Sequence, residues 1–212
     1  MRIAVLGATG KLGRAIAREA LDRGHDVTGI ARTPCGLGLA SRLRLAAADA
    51  TQADEVARVV GGHDAVVNAV GPAPDGPPSV VVNVAAALLA ATRRAGIKRL
   101  LLVGGAGTLF VKPGVEWLDT PDFPPTWRPV ALAHREALRA YREVDDLEWT
   151  YVSPPATVAK GARTGCYRVG KDELLVDGEG ESRISIEDYA VAVVDELERG
   201  AHKGSRITVA SS

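Results

Sequence analysis

The chain has few cysteines, few aromatic residues and no excess of either charge. Its two cysteines, Cys35 and Cys166, lie far apart with no metal-binding spacing and its four histidines are scattered, so we expect no metal site. The 26 basic and 26 acidic residues cancel, and no cluster of lysine and arginine stands out. This balance predicts that neither a nucleic acid nor a membrane is a partner.

Long apolar runs are also missing. The longest, residues 80–91, is interrupted by Asn83 and is too short to cross a bilayer. The chain opens on a strand-like segment instead of the layout of a signal peptide. With 212 residues, 46% of them apolar and 25% charged, it has the composition of one globular domain, which we expect to find in the cytoplasm.

Strand-like and helix-like segments alternate along the chain. This alternation is typical of the α/β class and predicts a single domain over residues 1–212, a Rossmann-like doubly wound parallel sheet with helices on both faces. We expect Thr51, with Asp54 three residues later, to cap the helix that follows the third strand. The predicted strands cover residues 3–6, 26–31, 43–47, 65–70, 99–103, 149–152 and 206–209.

Two segments lie outside this alternation. Residues 105–126 are rich in glycine and proline and too long for an ordinary connection, which predicts a lid or substrate wall. Its aromatic residues could stack on a planar ring or only anchor the loop: Phe110, Trp117 and Phe123. Residues 163–176 are predicted to form a short hairpin.

Three glycines near the start of the chain carry the strongest signal. An apolar strand at residues 3–6 runs into the first of them, and an amphipathic helix follows the last. Free N–H groups at the start of that helix form a site for a pyrophosphate, which a Cβ in the turn would block. The sequence therefore predicts a dinucleotide site, rather than a purely structural turn, at Gly7, Thr9, Gly10, Lys11, Leu12 and Gly13.

The second predicted strand ends in Arg32 and Thr33, where an acidic residue would bind the ribose 2′-hydroxyl of NAD. The nearby acid, Asp26, is at the opposite end of that strand. Arg32 can instead bind a 2′-phosphate as a fork, and Thr33 can add a hydroxyl donor. We therefore expect NADP, with NAD as the alternative if Arg32 is only a solvated surface residue.

Two further strand ends belong to the predicted cofactor site. Asp49 follows the third strand and is not needed to cap the next helix, so it could accept from the adenine amino group or simply face solvent. After the fourth strand the backbone of Ala69, Val70 and Gly71 can line a ribose. Asn68, the residue before them, could simply cap its strand.

These motifs together resemble the atypical short-chain dehydrogenase/reductase superfamily, and its NmrA-like NAD(P)H-binding branch most of all. Five stretches are similar to bacterial proteins described as NADH–flavin reductases, at residues 103–109, 119–124, 147–154, 165–170 and 182–190. The resemblance covers nearly the whole chain and implies the fold and a nicotinamide cofactor. It implies further cofactor contacts at Gly104, Pro155, Ala156 and Thr157. The same scaffold carries several chemistries, so the resemblance does not define the reaction.

The sequence departs from the superfamily at its catalytic pair, a Tyr and a Lys one helical turn apart. Counting back from Glu136 places Arg128 at the Tyr position and Leu132 at the Lys position, so the pair is absent. Tyr167 and Lys171 have the spacing, but they lie in the predicted hairpin, where such a pair does not converge. A pair of glycines also replaces the serine pair common after the fifth strand.

Two residues remain as candidates for proton transfer. His134 lies on the inward stripe of the helix predicted at residues 128–144, where it could also be a core residue, and Thr108 is the nearest hydroxyl after the fifth strand. Direct hydride transfer to an oxidised flavin needs no strong protein acid, since the flavin can take its proton from solvent. The missing pair is therefore compatible with flavin reduction and fits ketone reduction less well.

The sequence thus predicts an NADP(H)-dependent oxidoreductase that passes hydride to a small planar acceptor such as a flavin or a quinone. Two alternatives stay open at this point. One is a non-catalytic regulator that senses NADP, and the other is a tailoring reductase, epimerase or cyclase acting on a small aromatic metabolite. We expect a monomer or a homodimer, the helix at residues 79–95 being either a dimer face or buried against the sheet.

Overall fold

The computed structural model describes residues 1–34, 42–73 and 75–212, so Cys35 lies outside the described part of the chain. Its strands are β1 (Arg2–Leu6), β2 (Asp26–Ala31), β3 (Leu43–Ala47), β4 (Ala65–Asn68), β5 (Arg99–Val103), β6 (Phe110–Lys112), β7 (Val115–Glu116), β8 (Glu148–Ser153), β9 (Thr157–Ala159), β10 (Tyr167–Gly170), β11 (Arg183–Ser185) and β12 (Ser205–Ser211). Its helices are α1 (Lys11–Asp22), α2 (Ala53–Val60), α3 (Val80–Ala95), α4 (Arg128–Arg142) and α5 (Ile186–Arg199).

Eight of these strands form one central sheet, in the order β10-β12-β8-β5-β4-β1-β2-β3. All neighbouring pairs are parallel except β10 and β12, which are antiparallel. The strand order reverses its direction at β1, which lies between β2 and β4. The predicted Rossmann-like doubly wound sheet is therefore confirmed, and the point of reversal is the place where such sheets bind ligands.

Helices cover both faces of the sheet. In β1 the side chains of Ile3 and Val5 join a core with α1 and α5, whereas Ala4 and Leu6 join a second core with α2, α3 and α4. Successive side chains of a strand point to opposite faces, so a strand covered on both sides is apolar throughout. Helix α3 buries Leu88 in the second core and so packs against the sheet, while the oligomeric state stays a prediction.

Two predicted boundaries are wrong because a side chain bonds to nearby backbone. Strand β4 ends at Asn68 instead of residue 70, since the Asn68 side chain accepts a hydrogen bond from the Val70 amide at 3.1 Å. Helix α2 begins after Gln52 with no side-chain cap, so Thr51 does not cap it. The Thr51 amide and hydroxyl instead donate to Asp49 Oδ1, at 2.9 and 2.8 Å.

The hairpin predicted at residues 163–176 is also wrong. Strand β10 pairs with β12, far along the chain, and not with a neighbouring segment. Without β10, β12 would be the edge of the sheet with unpaired backbone groups. The residues after β10 cross to the loop that follows β5, where the Phe110 amide donates to the Asp172 carbonyl at 2.8 Å.

The segment at residues 105–126 contains more regular structure than the sequence predicts. Strands β6 and β7 form a short antiparallel hairpin within it. The 3₁₀ turns Trp117–Asp119 and Pro125–Trp127 then lead into α4. The segment is therefore a folded wall above the end of β5.

Gly13 lies in the first turn of α1, against the loop that leaves β1. A Cβ on Gly13 would lie 2.1 Å from the Gly7 carbonyl oxygen, which is too close for any real contact. Alanine favours a helix over glycine by about 1 kcal/mol, yet we expect Gly13→Ala to lower the free energy of unfolding by about 1–3 kcal/mol, because α1 must move away from β1.

Urea unfolding of Gly13→Ala measures this effect. The control is Gly178→Ala, since a Cβ on Gly178 meets nothing within 4 Å. A Gly13→Ala protein as stable as the control would contradict the packing described for α1.

Candidate functional site

The turn between β1 and α1 is tight enough to require glycine. Gly7 has a φ of 76°, in the left-handed region, and a Cβ on it would lie 2.7 Å from the Ala69 carbonyl oxygen. The amides of Gly7 and Ala8 both donate to the Ile30 carbonyl, at 2.9 and 3.3 Å, which holds the turn against β2. Only glycine satisfies both the backbone angle and the lack of space.

Helix α1 starts from this turn with its first amides free. Its N-cap, Gly10, provides no side-chain cap, and the first turn contains no acidic residue. The amides of Lys11, Leu12 and Gly13 therefore have no acceptor within the helix. Free amides at the positive end of a helix dipole are suited to bind a phosphate group.

A cleft of about 370 Å³ opens at the carboxyl ends of β1, β2 and β4, and we call it the switch-point cleft. The start of α3 forms its opposite wall with Pro77 and Val80. Thr33 is exposed and lies outside the lining. The cleft brings together eight of the predicted cofactor residues, Gly7, Thr9, Gly10, Arg32, Asp49, Ala69, Val70 and Gly71.

Arg32 and Asp49 lie beside each other in this cleft. The sequence suggested that the Asp49 carboxylate is free. In the structure its Oδ1 accepts both hydrogen bonds from Thr51. These bonds, and to a smaller extent the charge of Arg32, lower the pKa of Asp49. Asp49 is therefore ionised at neutral pH, with its second oxygen bonded to none of the described residues.

A second cavity, of about 330 Å³, lies at the same edge of the sheet, beyond the ends of β5 and β8. Its walls are mostly apolar, and we call it the aromatic cavity because its lining includes Trp117, Phe123 and Trp127. The Trp117 and Phe123 rings meet edge to face, with their centroids 4.9 Å apart. Trp127 is 54% exposed and forms the rim.

The aromatic lining differs from the one expected. Phe110 is not part of it, because its ring faces the Arg206 guanidinium, 6.0 Å from the ring centroid. Trp127 was missed by the sequence reasoning. Its spacing could have revealed it, since Trp127, Ala131 and His134 follow the i, i+4, i+7 pattern of one helix face.

Thr108, predicted as a catalytic hydroxyl, lies outside the lining of both cavities. The residue is buried, and its hydroxyl and carbonyl oxygens both accept from Arg206 Nη1 at 2.9 Å. Nε of Arg206 donates in turn to Asp172 Oδ1 at 2.7 Å. Thr108 therefore anchors the loop after β5 to β12, and this arrangement gives no support to the catalytic role predicted for it.

The four residues that the resemblance implies as cofactor contacts lie in different surroundings. A Cβ on Gly104 would lie 2.2 Å from the Tyr151 ring, so packing against that tyrosine is what requires this glycine. Pro155 and Ala156 line the aromatic cavity. Thr157 is exposed in β9 and lies outside the lining.

His134 lies on α4 and lines the aromatic cavity. Its Nδ1 is 2.8 Å from the Tyr151 hydroxyl oxygen. Burial of the ring lowers the pKa of His134 from its ordinary value of 6.5 to about 4. The imidazole is therefore neutral near pH 7. A hydrogen-bonding role fits this residue better than the proton transfer expected from the sequence.

The two positions of the superfamily's catalytic pair are occupied by unrelated residues. Nη1 of Arg128 donates to the Leu118 carbonyl at 2.8 Å, and Leu132 is 44% exposed on α4. Among the described residues that line the aromatic cavity, His134 is the one that can ionise. Any acid–base chemistry in this cavity therefore depends on His134 or on solvent.

A larger cavity than these two, of about 910 Å³, lies elsewhere. It runs along the outer side of α1, against α5 and residues 158–163. Lys11 lines this groove and not the switch-point cleft, so its predicted cofactor contact rests on its backbone amide. No described strand of the central sheet ends in the groove, and we place the chemistry in the other two cavities.

The sheet and the switch-point cleft define a Rossmann-like protein. A family model described as NAD(P)H-binding matches residues 7–197. The chain belongs to this NAD(P)H-binding family, and its predicted place among the atypical short-chain dehydrogenase/reductases of the NmrA-like branch is confirmed.

Three solved structures resemble nearly the whole chain. One from Burkholderia pseudomallei, provisionally described as an exported protein, is 45% identical with a TM-score of 0.91 over 99% of both chains. One from Bacteroides thetaiotaomicron, provisionally described as an epimerase, is 38% identical with a TM-score of 0.92, over 99% of this chain and 96% of that one. One from Streptococcus pneumoniae, provisionally described as an NADH-flavin reductase, is 33% identical with a TM-score of 0.86 over 100% of both.

Within the described ranges no helix combines the length and the apolar character needed to span a membrane. The same residues contain no group of three or more His, Cys, Asp and Glu arranged to hold a metal ion. The cytoplasmic location stays a prediction.

The burial of His134 predicts how stability depends on pH. Its pKa is lower in the folded chain than the ordinary 6.5, so the unfolded chain binds this proton more tightly. The corresponding stabilisation is complete above pH 6.5 and is lost as the pH falls toward about 4. We expect the free energy of unfolding to fall more between about pH 7 and about pH 5 in the wild type than in His134→Gln. Urea unfolding at both pH values checks this, and equal decreases would refute it.

Proposed function

We propose that the protein is an NADP(H)-dependent oxidoreductase that passes hydride to a small planar acceptor, such as a flavin or a quinone. The observation that carries the proposal is the aromatic cavity, which lies at the same sheet edge as the switch-point cleft. Open α/β sheets bind their ligands at this edge. A volume of about 330 Å³ is within the range of small-molecule sites, and flat aromatic walls favour a flat ligand.

The switch-point cleft supports the coenzyme half of the proposal. The free amides at the start of α1 would hold the diphosphate, and the backbone from Ala69 to Gly71 would line a ribose. Arg32 would bind the 2′-phosphate, because a guanidinium pairs with phosphate oxygens as a fork. The free oxygen of Asp49 would accept from the adenine amino group.

The aromatic cavity would bring the acceptor to the reacting end of the coenzyme. Bound NADPH supplies a hydride, so that the acceptor gains this hydride and a solvent proton while NADP⁺ is left. Pro155 and Ala156 would contact the nicotinamide end and keep water away from it. His134 would offer a neutral hydrogen-bonding group to the acceptor. The absence of a Tyr–Lys pair fits this reaction, since solvent supplies the proton.

The relatives support an NAD(P)H-dependent class of enzyme more firmly than they support any particular acceptor. The Streptococcus pneumoniae protein is described as an NADH-flavin reductase, which favours a flavin-like acceptor. The Bacteroides thetaiotaomicron protein is described as an epimerase, which favours the alternative of a tailoring enzyme. An epimerase, unlike a flavin reductase, does not consume NADPH in proportion to product, and that difference can be measured.

Steady-state turnover tests the proposal. We expect the purified protein to oxidise NADPH in the presence of FMN, riboflavin or a quinone, at a rate well above that without protein. The loss of the NADPH absorbance band follows the reaction. Tight NADPH binding without turnover on a broad acceptor panel would overturn the proposal and favour an NADP-sensing regulator.

The rim of the aromatic cavity provides a matched pair of variants for the same assay. Trp127 and Leu132 are both exposed near the start of α4, but only Trp127 lines the cavity. We expect Trp127→Ala to raise the KM for the acceptor about 2- to 10-fold through lost stacking. Leu132→Ala should leave this KM unchanged, and both variants should bind NADPH as the wild type does.

Arg32 decides which coenzyme is preferred. We expect Arg32→Ala to weaken NADPH binding about 10- to 100-fold, because a charge-assisted hydrogen bond to the 2′-phosphate is lost, with little change for NADH. Calorimetry with both coenzymes measures the two constants. Arg58→Ala, which removes an exposed arginine of α2 outside the cleft, is the control. Equal weakening of NADPH and NADH by Arg32→Ala would refute the assignment.

A further inference from the structure

Tyr151 is a buried residue of β8 that contacts the one ionisable side chain of the aromatic cavity. It is 2% exposed, and its hydroxyl oxygen lies 2.8 Å from Nδ1 of His134. The two rings meet edge-on, with centroids 6.4 Å apart. This contact joins the central sheet to α4 at the point where the acceptor would bind.

The direction of this hydrogen bond follows from the other partners of the phenol. The Gly105 amide lies near the Tyr151 oxygen and acts to lower the pKa of this phenol. The phenol proton then has two acceptors within reach, Nδ1 of His134 at 2.8 Å and the His134 carbonyl oxygen at 3.4 Å. The first is an ordinary hydrogen-bond length and the second is at the limit, so Tyr151 donates to Nδ1. Burial also raises the pKa of Tyr151 far above its usual range, so the phenol keeps its proton.

A neutral imidazole has one donor nitrogen and one acceptor nitrogen. Because Nδ1 of His134 accepts from Tyr151, the ring proton is on Nε2. Nε2 has no hydrogen-bond partner among the described residues. Since it is not among the buried atoms that lack a partner, this nitrogen must be accessible from open space. His134 lines the aromatic cavity, which provides that space.

We propose that Tyr151 is a positioning residue that holds His134 as its Nε2–H tautomer and so presents one N–H donor to the acceptor. This inference rests on the proposed function. As hydride passes from the coenzyme to the acceptor, negative charge develops on an acceptor oxygen or nitrogen until a solvent proton neutralises it. A preorganised N–H donor stabilises that charge, and His134 keeps its own proton throughout.

The two glycines after β5 make room for this pair. A Cβ on Gly104 would lie 2.2 Å from the Tyr151 ring, and a Cβ on Gly105 would lie 3.0 Å from the His134 ring. These glycines occupy the place where the superfamily commonly has a serine pair. The Tyr151–His134 contact therefore needs glycine at both positions, where a serine pair would meet the two rings.

The tautomer can be measured without any turnover. In ¹⁵N NMR of the labelled wild type we expect His134 to show a protonated Nε2 and an unprotonated Nδ1 near neutral pH. Tyr151→Phe should release this preference and populate the Nδ1–H form. A wild type with its proton on Nδ1, or a Tyr151→Phe protein with an unchanged tautomer, would overturn the inference even if the enzyme is active.

Tyr141→Phe is the matched control, because Tyr141 is a neighbouring buried tyrosine whose hydroxyl has no partner among the described residues. It should leave the His134 signals unchanged.

Kinetics then connect the tautomer to the reaction. We expect Tyr151→Phe to lower kcat about tenfold with NADPH binding unchanged, and Tyr141→Phe to leave kcat unaltered. In a His134→Gln background, where the amide supplies a donor independent of Tyr151, Tyr151→Phe should have no further effect. Additive losses in the double variant would show a merely structural role for Tyr151.

Absence of turnover in every protein, with the expected tautomer, would refute the proposed function and leave the positioning contact standing.

Discussion

The close approach of α1 to the loop after β1 is the constraint on which the site depends. Gly13 lies so near the Gly7 carbonyl that no side chain fits between them. This contact brings the uncapped start of α1 to the end of β1, the strand that lies between β2 and β4. The free amides and the switch-point cleft therefore share one place because two backbones touch. A side chain at either glycine would separate them.

The parallel sheet then decides where the second cavity lies. Strands β4, β5 and β8 are neighbours and end at the same edge, so the loops that follow them meet above the sheet. The loop after β4 lines the switch-point cleft, and the loops after β5 and β8 line the aromatic cavity. The two cavities therefore lie at the ends of neighbouring strands, β4 for the first and β5 for the second. The proposed transfer between a coenzyme and an acceptor relies on this adjacency.

The sequence predicts those features that depend on local chemistry. The glycines of the first turn, Arg32 and the segment from Ala69 to Gly71 lie together because each follows a strand end that its own sequence reveals. The sequence did not predict the features that depend on distant partners. Thr108 is held by an arginine 98 residues away, and β10 pairs with the last strand of the chain. The close packing of Gly104 against a tyrosine of another strand was missed, and its contact with the cofactor stays a prediction. The local sequence pattern around a residue does not indicate partners that lie so far along the chain.

The aromatic cavity has one firmly held wall and one loose border. Arg206 ties the base of the loop after β5 to the sheet through Thr108 and Asp172, while Trp127 at the mouth is largely in solvent. Side chains at the mouth contribute little to folding, so they can be exchanged freely. Under the proposed function, relatives can therefore differ in the acceptor that they take while the scaffold beneath the mouth stays the same.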